Sequence, residues 1–257
     1  MNGISMDGLQ AGILLPAFAA GLLVLLTHVP LGMEVLKRGI IFMDLAIAQF
    51  AGLGIVAAHA AGIDEQGWQA QAAAVGAALL GALLLRWTEK RAPQRQEALI
   101  GVAFAVAACA ALLLLAKDPH GGEHMQELLV GQILWSTWPG LLPLAGISAA
   151  VLAVWLALRA TRFAPLAFYL LFALIVTASV QVVGVYLVFA SLIVPALAAG
   201  RRLWLAYGLG AAGYAIGLVG SALFDLPSGA AIVIALAGCA LIGGTMLPAR
   251  NGGGGLS

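Results

Sequence analysis

The chain has 257 residues, of which 63% are hydrophobic and only 9% charged, with a net charge of +1. A soluble domain carries about a quarter charged residues, so most of this surface does not face water, and no basic run calls for a nucleic-acid partner. At roughly 20 apolar residues per span, the length holds eight or nine spans and leaves no separate catalytic domain.

In chain order, apolar runs broken by charged or Gly/Pro punctuation predict spans at about 9–30, 40–62, 70–87, 97–116 and 138–158. They continue at 166–183, a shorter piece at 185–199, then 203–223 and 228–247. Each must be helical, because lipid offers no hydrogen-bond partner to exposed backbone. The fold class is therefore all-α, a polytopic transmembrane bundle of eight full spans plus one short span or re-entrant helix. Residues 1–250 form a single transmembrane domain, and the Gly-rich 251–257 reads as a disordered tail. The first residues lack the basic stretch and cleavage site of a signal peptide. Cys109 and Cys239 sit in apolar stretches without C-x-x-C spacing and are expected as buried small side chains.

Orientation follows from the positive charges. With the Lys37–Arg38 loop in the cytoplasm and the spans alternating from there, Arg86, Lys90, Arg91, Arg95, Arg159, Arg162, Arg201, Arg202 and Arg250 also fall inside. That leaves Lys117 as the one basic residue outside. The N-terminus is then outside and the C-terminus cytoplasmic, and 185–199 must cross or at least return to the inner side. Trp68, Trp87, Trp135, Trp138, Trp155 and Trp204 all lie at span ends, where the amphipathic indole favours the interface.

Asp44 is the first candidate for chemistry, since a carboxylate inside a span costs a few kcal/mol unless it meets water, a cation or a partner. Its competing roles are hydration near the interface or an ion pair with Arg38. Gln49 lies five residues on, about 140° round the helix, and lines the same cavity only if the helix is broken or tilted. His28, just before Pro30, is placed near the inner end of the first span, and His59 near the outer end of the second. In the outer loop, His120-Gly-Gly-Glu123-His124 gathers two imidazoles and a carboxylate, donors that suit Zn²⁺ or another borderline divalent ion. The H-x-x-E-H spacing marks one class of zinc peptidase when it lies on a helix. The paired glycines and Pro119 argue against a helix here, leaving a metal-capture loop or a solvated polar loop. Thr177, Ser179 and Gln181 form a polar stretch suited to hydrogen bonds between helices. Gly184 and Pro195 bracket the short piece, which suggests the wall of a pathway. No G-x-x-x-x-G-K-[ST] motif is present, so any ATP hydrolysis belongs to another chain and this one is not itself an enzyme.

Several segments together resemble the integral-membrane permeases of bacterial ABC importers for zinc, manganese and iron. Lys37, Arg38, Phe42 and Asp44 match a basic pair, aromatic and Asp that lead into the second span. Glu89-Lys-Arg-Ala-Pro-Gln-Arg-Gln-Glu-Ala-Leu-Ile-Gly101, Leu129-Val-Gly-Gln-Ile-Leu134, the stretch Gln181 to Ala196, and Asp225-Leu-Pro-Ser-Gly229 are similar to later landmarks in the same order. The resemblance implies a second permease copy, cytoplasmic ATP-binding subunits, an extracytoplasmic metal-binding protein, and a bacterial inner-membrane location. It implies no permanently bound cofactor; the divalent metal (zinc, manganese or iron), or its chelate, is cargo. Asp44 would be the cavity ligand. Two positions depart from the family pattern: Ala48 stands where a His is usual, with Gln49 next, and only Arg159 to Pro165 replaces the usual ATPase-docking segment. That short loop keeps open an ATP-independent membrane protein with the permease fold. Otherwise docking falls to 86–96 or 200–204.

Overall fold

The computed structural model describes residues 6–64, 67–116, 131–200 and 202–245, which fold into nine α-helices with no strand among the described residues. They are α1 (Met6–Arg38), α2 (Met43–Ala60), α3 (Trp68–Arg91), α4 (Gln96–Leu115) and α5 (Trp138–Leu158). The remainder are α6 (Ala164–Val183), α7 (Val185–Ala199), α8 (Leu203–Phe224) and α9 (Ser228–Thr245). Seven are long and apolar enough to cross a membrane, and α7 and the apolar Ser228–Gly243 stretch of α9 are shorter. The chain is a polytopic transmembrane bundle, as its hydropathy requires.

The first span does not stop at residue 30. Helix α1 runs on to Arg38 with Pro16 and Pro30 inside it. A proline removes the donor for the carbonyl four residues back, here that of Leu26. The Tyr207 hydroxyl of α8 donates to that carbonyl at 3.0 Å, which is how a span tolerates an interior proline. Helix α1 also approaches its neighbours closely at glycines. A Cβ at Gly21 would overlap the Tyr214 ring, and one at Gly32 would stand 2.0 Å from the Leu192 carbonyl oxygen of α7. Tyr214 in turn shares a hydrogen bond of 2.7 Å with Ser191 of α7. Helices α1, α7 and α8 are thus joined at backbone distance, and α9 packs against α7 and α8.

Helix α6 is the other buried element. It packs on α2, α3 and α5 and also touches α1 and α7. It ends at Gly184, whose φ of 80° belongs to the left-handed half of the map that favours glycine. Helix α7 starts at the next residue. Gly131, preceding the short 3₁₀ turn Ile133–Trp135, is pressed onto the Val183–Gly184 peptide so closely that a Cβ there would lie 2.2 Å from the Val183 carbonyl carbon. Ile133 is buried beside α1.

Side-chain placement departs from expectation at three residues. Trp68, Trp87, Trp135, Trp138 and Trp204 are exposed at helix ends, but Trp155 is buried against Phe168 at 5.8 Å between ring centroids. Sequence position alone cannot separate a helix-end Trp that faces inward from one that faces lipid. Cys109 is exposed and Cys239 half-buried, so neither is a core residue. Thiols are tolerated on a lipid-facing surface because they behave as small hydrophobes. The Gly-rich tail lies outside the described residues.

The glycine contacts make a test. Gly32→Ala forces α1 from the α7 backbone and should cost about 1–3 kcal/mol, whereas Gly76→Ala, with nothing within 4 Å of the new methyl, should be neutral or slightly stabilising. Thermal unfolding of the two purified variants in detergent measures the contrast. Equal midpoints would mean that α1 and α7 do not meet at Gly32.

Candidate functional site

Helix α2 begins at Met43, so Asp44 lies in its first turn, where free backbone N–H groups and the positive end of the helix dipole favour an anion. Asp44 is 1% exposed, and neither carboxylate oxygen has a hydrogen-bond partner. Directly beside this helix start stands Glu97, from the first turn of α4, which accepts the Phe42 N–H at 3.2 Å with one oxygen. Its second oxygen, Oε2, is buried without a partner. Two carboxylates therefore flank the start of α2, and three of their oxygens have no protein donor. Glu97 escaped the sequence reading because 55 residues separate it from Phe42. The available signal was its place inside the Glu89–Gly101 landmark.

The other candidates are spread through the bundle. Gln49 is 8% exposed on α2. His28 is not at the end of its span: α1 continues ten residues beyond it, and the imidazole is fully buried. Its Nδ1 lies 2.9 Å from the Val24 carbonyl oxygen, which assigns the proton to Nδ1, and the buried Nε2 has no partner. That leaves an imidazole lone pair inside the protein. His59 is half-buried at the far end of α2. Thr177 and Ser179 are buried without hydrogen bonds from their hydroxyls, and Gln181 is exposed, so the expected bonds between helices are not made there. His120, Glu123 and His124 lie outside the described residues. Among the described residues no three His, Cys, Asp or Glu side chains are placed to hold one metal ion.

Arg38 does not pair with Asp44. Its Nε donates to Glu34 at 2.9 Å, its Nη1 lies 3.7 Å from Glu89 of α3, and its guanidinium sits 4.3 Å over the Phe168 ring of α6. Arg86 also pairs with Glu89. These charges are about one-fifth exposed, and they fasten α1 to α3 over the Trp155–Phe168–Phe172 ring cluster. Gln96 completes this end by donating to the Leu85 carbonyl at 2.9 Å. Phe42 stacks on Phe189 of α7 at 6.3 Å.

The ends of α1, α5 and α7 and the starts of α6 and α8 enclose a cleft of about 1090 Å³ on the same side as Arg38. Helix α7 therefore returns to the end that carries the basic residues. Asp44, Gln49 and His28 are not part of the cleft wall. Beside it, α5 and α6 are joined only by residues 159–163.

The sequence profile of the ABC 3 transport family matches residues 10–246. The fold is similar to that of a chain in PsaBC from Streptococcus pneumoniae in complex with Fab, with a TM-score of 0.72 and 21% identity. That match covers 95% of this chain and 95% of that one. A metal-chelate type ABC transporter in an inward-facing conformation is also similar, with a TM-score of 0.66 and 16% identity, over 96% of this chain and 92% of that one. No curated protein sequence matches the chain.

Double-mutant cycles separate the two charge systems. Arg38→Ala and Asp44→Asn share no partner, so their effects on unfolding free energy should add within about 0.3–0.5 kcal/mol, while Arg38→Ala and Glu89→Gln should couple by 0.5 kcal/mol or more, on the order of that seen for contacting charges. Unfolding in detergent reads both cycles. Strong coupling between residues 38 and 44 would restore the ion pair that the geometry denies.

Proposed function

The chain belongs to the ABC 3 transport family, and from that premise we propose that it is the permease subunit of an importer for a divalent metal ion or its chelate. The observation that carries the reading is Asp44, a buried carboxylate with both oxygens unpartnered. A buried charge without donors is expensive. A passing cation offsets that cost, so the protein keeps the group where cargo needs it. Glu97 adds a second oxygen donor beside the same helix start. Gln49, one turn further along α2, supplies carbonyl oxygen where imidazole is absent because residue 48 is Ala. Carboxylate and carbonyl oxygen favour a hard ion such as Mn²⁺, whereas the unpartnered His28 Nε2 is a donor of the type that suits a borderline ion such as Zn²⁺ or Fe²⁺. A set this small needs water, a chelator or a second permease copy to complete the coordination. One fold relative is named as a metal-chelate type ABC transporter, which fits that requirement.

The rest of the assembly follows the same reading. The chain has no nucleotide-binding motif, so cytoplasmic ATP-binding subunits drive it and an extracytoplasmic metal-binding protein delivers cargo. With only residues 159–163 between α5 and α6, the ATPase docks on 86–96 or 200–204. The His120-Gly-Gly-Glu123-His124 loop gathers metal on the outer side. The membrane is the bacterial inner membrane, with the basic ends of the helices in the cytoplasm.

Asp44→Asn should lower metal uptake at least about tenfold while leaving abundance and the unfolding midpoint unchanged or raised, because Asn keeps the shape and removes an uncompensated charge. Uptake of radiolabelled metal by cells expressing each variant measures this. Full uptake by Asp44→Asn would remove the residue from the path, and loss of uptake together with stability would make its role structural.

Orientation is checked separately. With Cys109 and Cys239 replaced, an impermeant thiol reagent applied outside should label a cysteine at 121 and spare cysteines at 92 and 161. Labelling at 92 but not at 121 would invert the assignment.

A further inference from the structure

The cleft between α1, the α5–α6 turn and the α7–α8 turn has the wrong charge for the cargo proposed above. Its wall carries Lys37, Arg38 and Arg159 against a single carboxylate, Glu34. Glu34 is already held by Arg38 at 2.9 Å and lies 3.5 Å from Lys37. Arg159 has no carboxylate partner among the described residues. The wall therefore repels a divalent cation and attracts an anion. The remaining surface is apolar, and it continues outward through Leu197, 66% exposed, and Leu203, 37% exposed, to Trp204, 84% exposed. An exposed Trp at a helix end marks the membrane interface. A site with cations on one side and an apolar wall open to hydrocarbon suits a molecule with an anionic head and apolar chains. Basic pockets between transmembrane helices bind anionic lipid headgroups in this way. A volume of about 1090 Å³ admits a ligand of drug size or slightly more, enough for a headgroup and the first segment of its chains.

We propose that this cleft binds an anionic phospholipid, its phosphate held by Lys37 and Arg159 and its chains laid against Met33, Trp155 and Leu197. The bound lipid wedges the end of α1 against the starts of α6 and α8, the helices whose ends form the wall. The assignment does not depend on which cargo is carried. The wall shares Gly200 and Leu203 with the 200–204 segment, so a lipid seated here leaves 86–96 as the docking segment for the ATPase.

Native mass spectrometry of the purified full chain, titrated with phosphatidylglycerol or phosphatidylcholine of the same chains, tests it. Phosphatidylglycerol should be retained at least tenfold more strongly, on the order expected for two basic contacts. Lys37→Gln with Arg159→Gln should weaken it about 25-fold, roughly fivefold for each charge removed, and leave phosphatidylcholine unchanged. Lys37→Arg with Arg159→Lys should retain the preference, which separates charge from folding. Soluble glycerol phosphate should not compete. Equal retention of both lipids, or an unchanged preference in the neutral double variant, would overturn the site. Displacement by glycerol phosphate would make it a site for free anions instead. Loss of a co-purifying ATP-binding subunit, with lipid retention intact, would make it a protein-docking surface.

Discussion

Hydrocarbon offers no hydrogen bonds, so a polar group of this bundle is costly unless it finds a partner in the protein or at the interface. Most of the apparent irregularities in α1, α7 and α8 are solutions to that problem. Pro30 releases the Leu26 carbonyl, and the Tyr207 hydroxyl takes it. Ser191 shares its hydroxyl with Tyr214 and donates to the Leu187 carbonyl at 2.6 Å. At the end of α8, Asp225 turns left-handed while Ser221 and Leu226 exchange hydrogen bonds. Thr177, Ser179 and His28 Nε2 are also left without a partner, but Asp44 is the one carboxyl group with both oxygens so placed among the described residues. The fold satisfies a freed carbonyl in the middle of a helix, yet leaves both oxygens of a buried carboxyl group without a hydrogen bond.

The same constraint divides the bundle into differently fastened parts. Apolar association gains little in lipid, so helices are held by close packing at small residues and by polar contacts. Helices α1, α7 and α8 use both, with Gly21 under the Tyr214 ring and Gly32 on the Leu192 backbone. Helices α2 and α3 meet at Gly54, where a Cβ would lie 2.5 Å from the Ala73 carbonyl oxygen. Between these groups the connection is of another kind. Arg38 reaches Glu89, Phe42 stacks on Phe189, and Glu97 takes the Phe42 N–H. Side-chain contacts of this sort exchange partners at small cost when partly hydrated, whereas backbone-to-backbone contacts at glycine do not. Asp44 lies at that more adjustable seam.

How much of this was legible in the sequence depends on the range of the signal. Hydropathy is local, so the spans were readable, including the short one at 185–199 that is α7 with the same limits. Proline misled at residue 30 because the partner that rescues its helix, Tyr207, is 181 residues from Leu26. Asp44 was found because a carboxylate in an apolar run is conspicuous wherever its neighbours lie. Glu97 was not, since it sits among charged residues at a span start and acts only through a chain turn far away. Arg38 was near enough in sequence to suggest a pair with Asp44, but six residues apart across a turn is a weaker tie than Glu34 one helical turn back on the same face. The inward side of Trp155 required knowing that α6 brings Phe168 beneath it.

Charge sign separates the two largest features of this end of the bundle. Around the start of α2 the free groups are carboxylate oxygens, and no basic side chain bonds to Asp44. In the cleft the basic groups outnumber the one carboxylate of the wall, Glu34, which Arg38 and Lys37 take, leaving Arg159 without a carboxylate among the described residues. At separations of a few ångströms and partial burial, each unit charge acts on a divalent ion with an energy of several kcal/mol, roughly twice that between single charges. A cation held by Asp44 and Glu97 would therefore meet a barrier if it left through the cleft, and an anion resting in the cleft would meet one if it moved toward Asp44. The two features are next to each other along α1 and α2 and still cannot serve one ligand. On the function proposed above, the cleft therefore lies beside the way cargo takes past Asp44 and not in it.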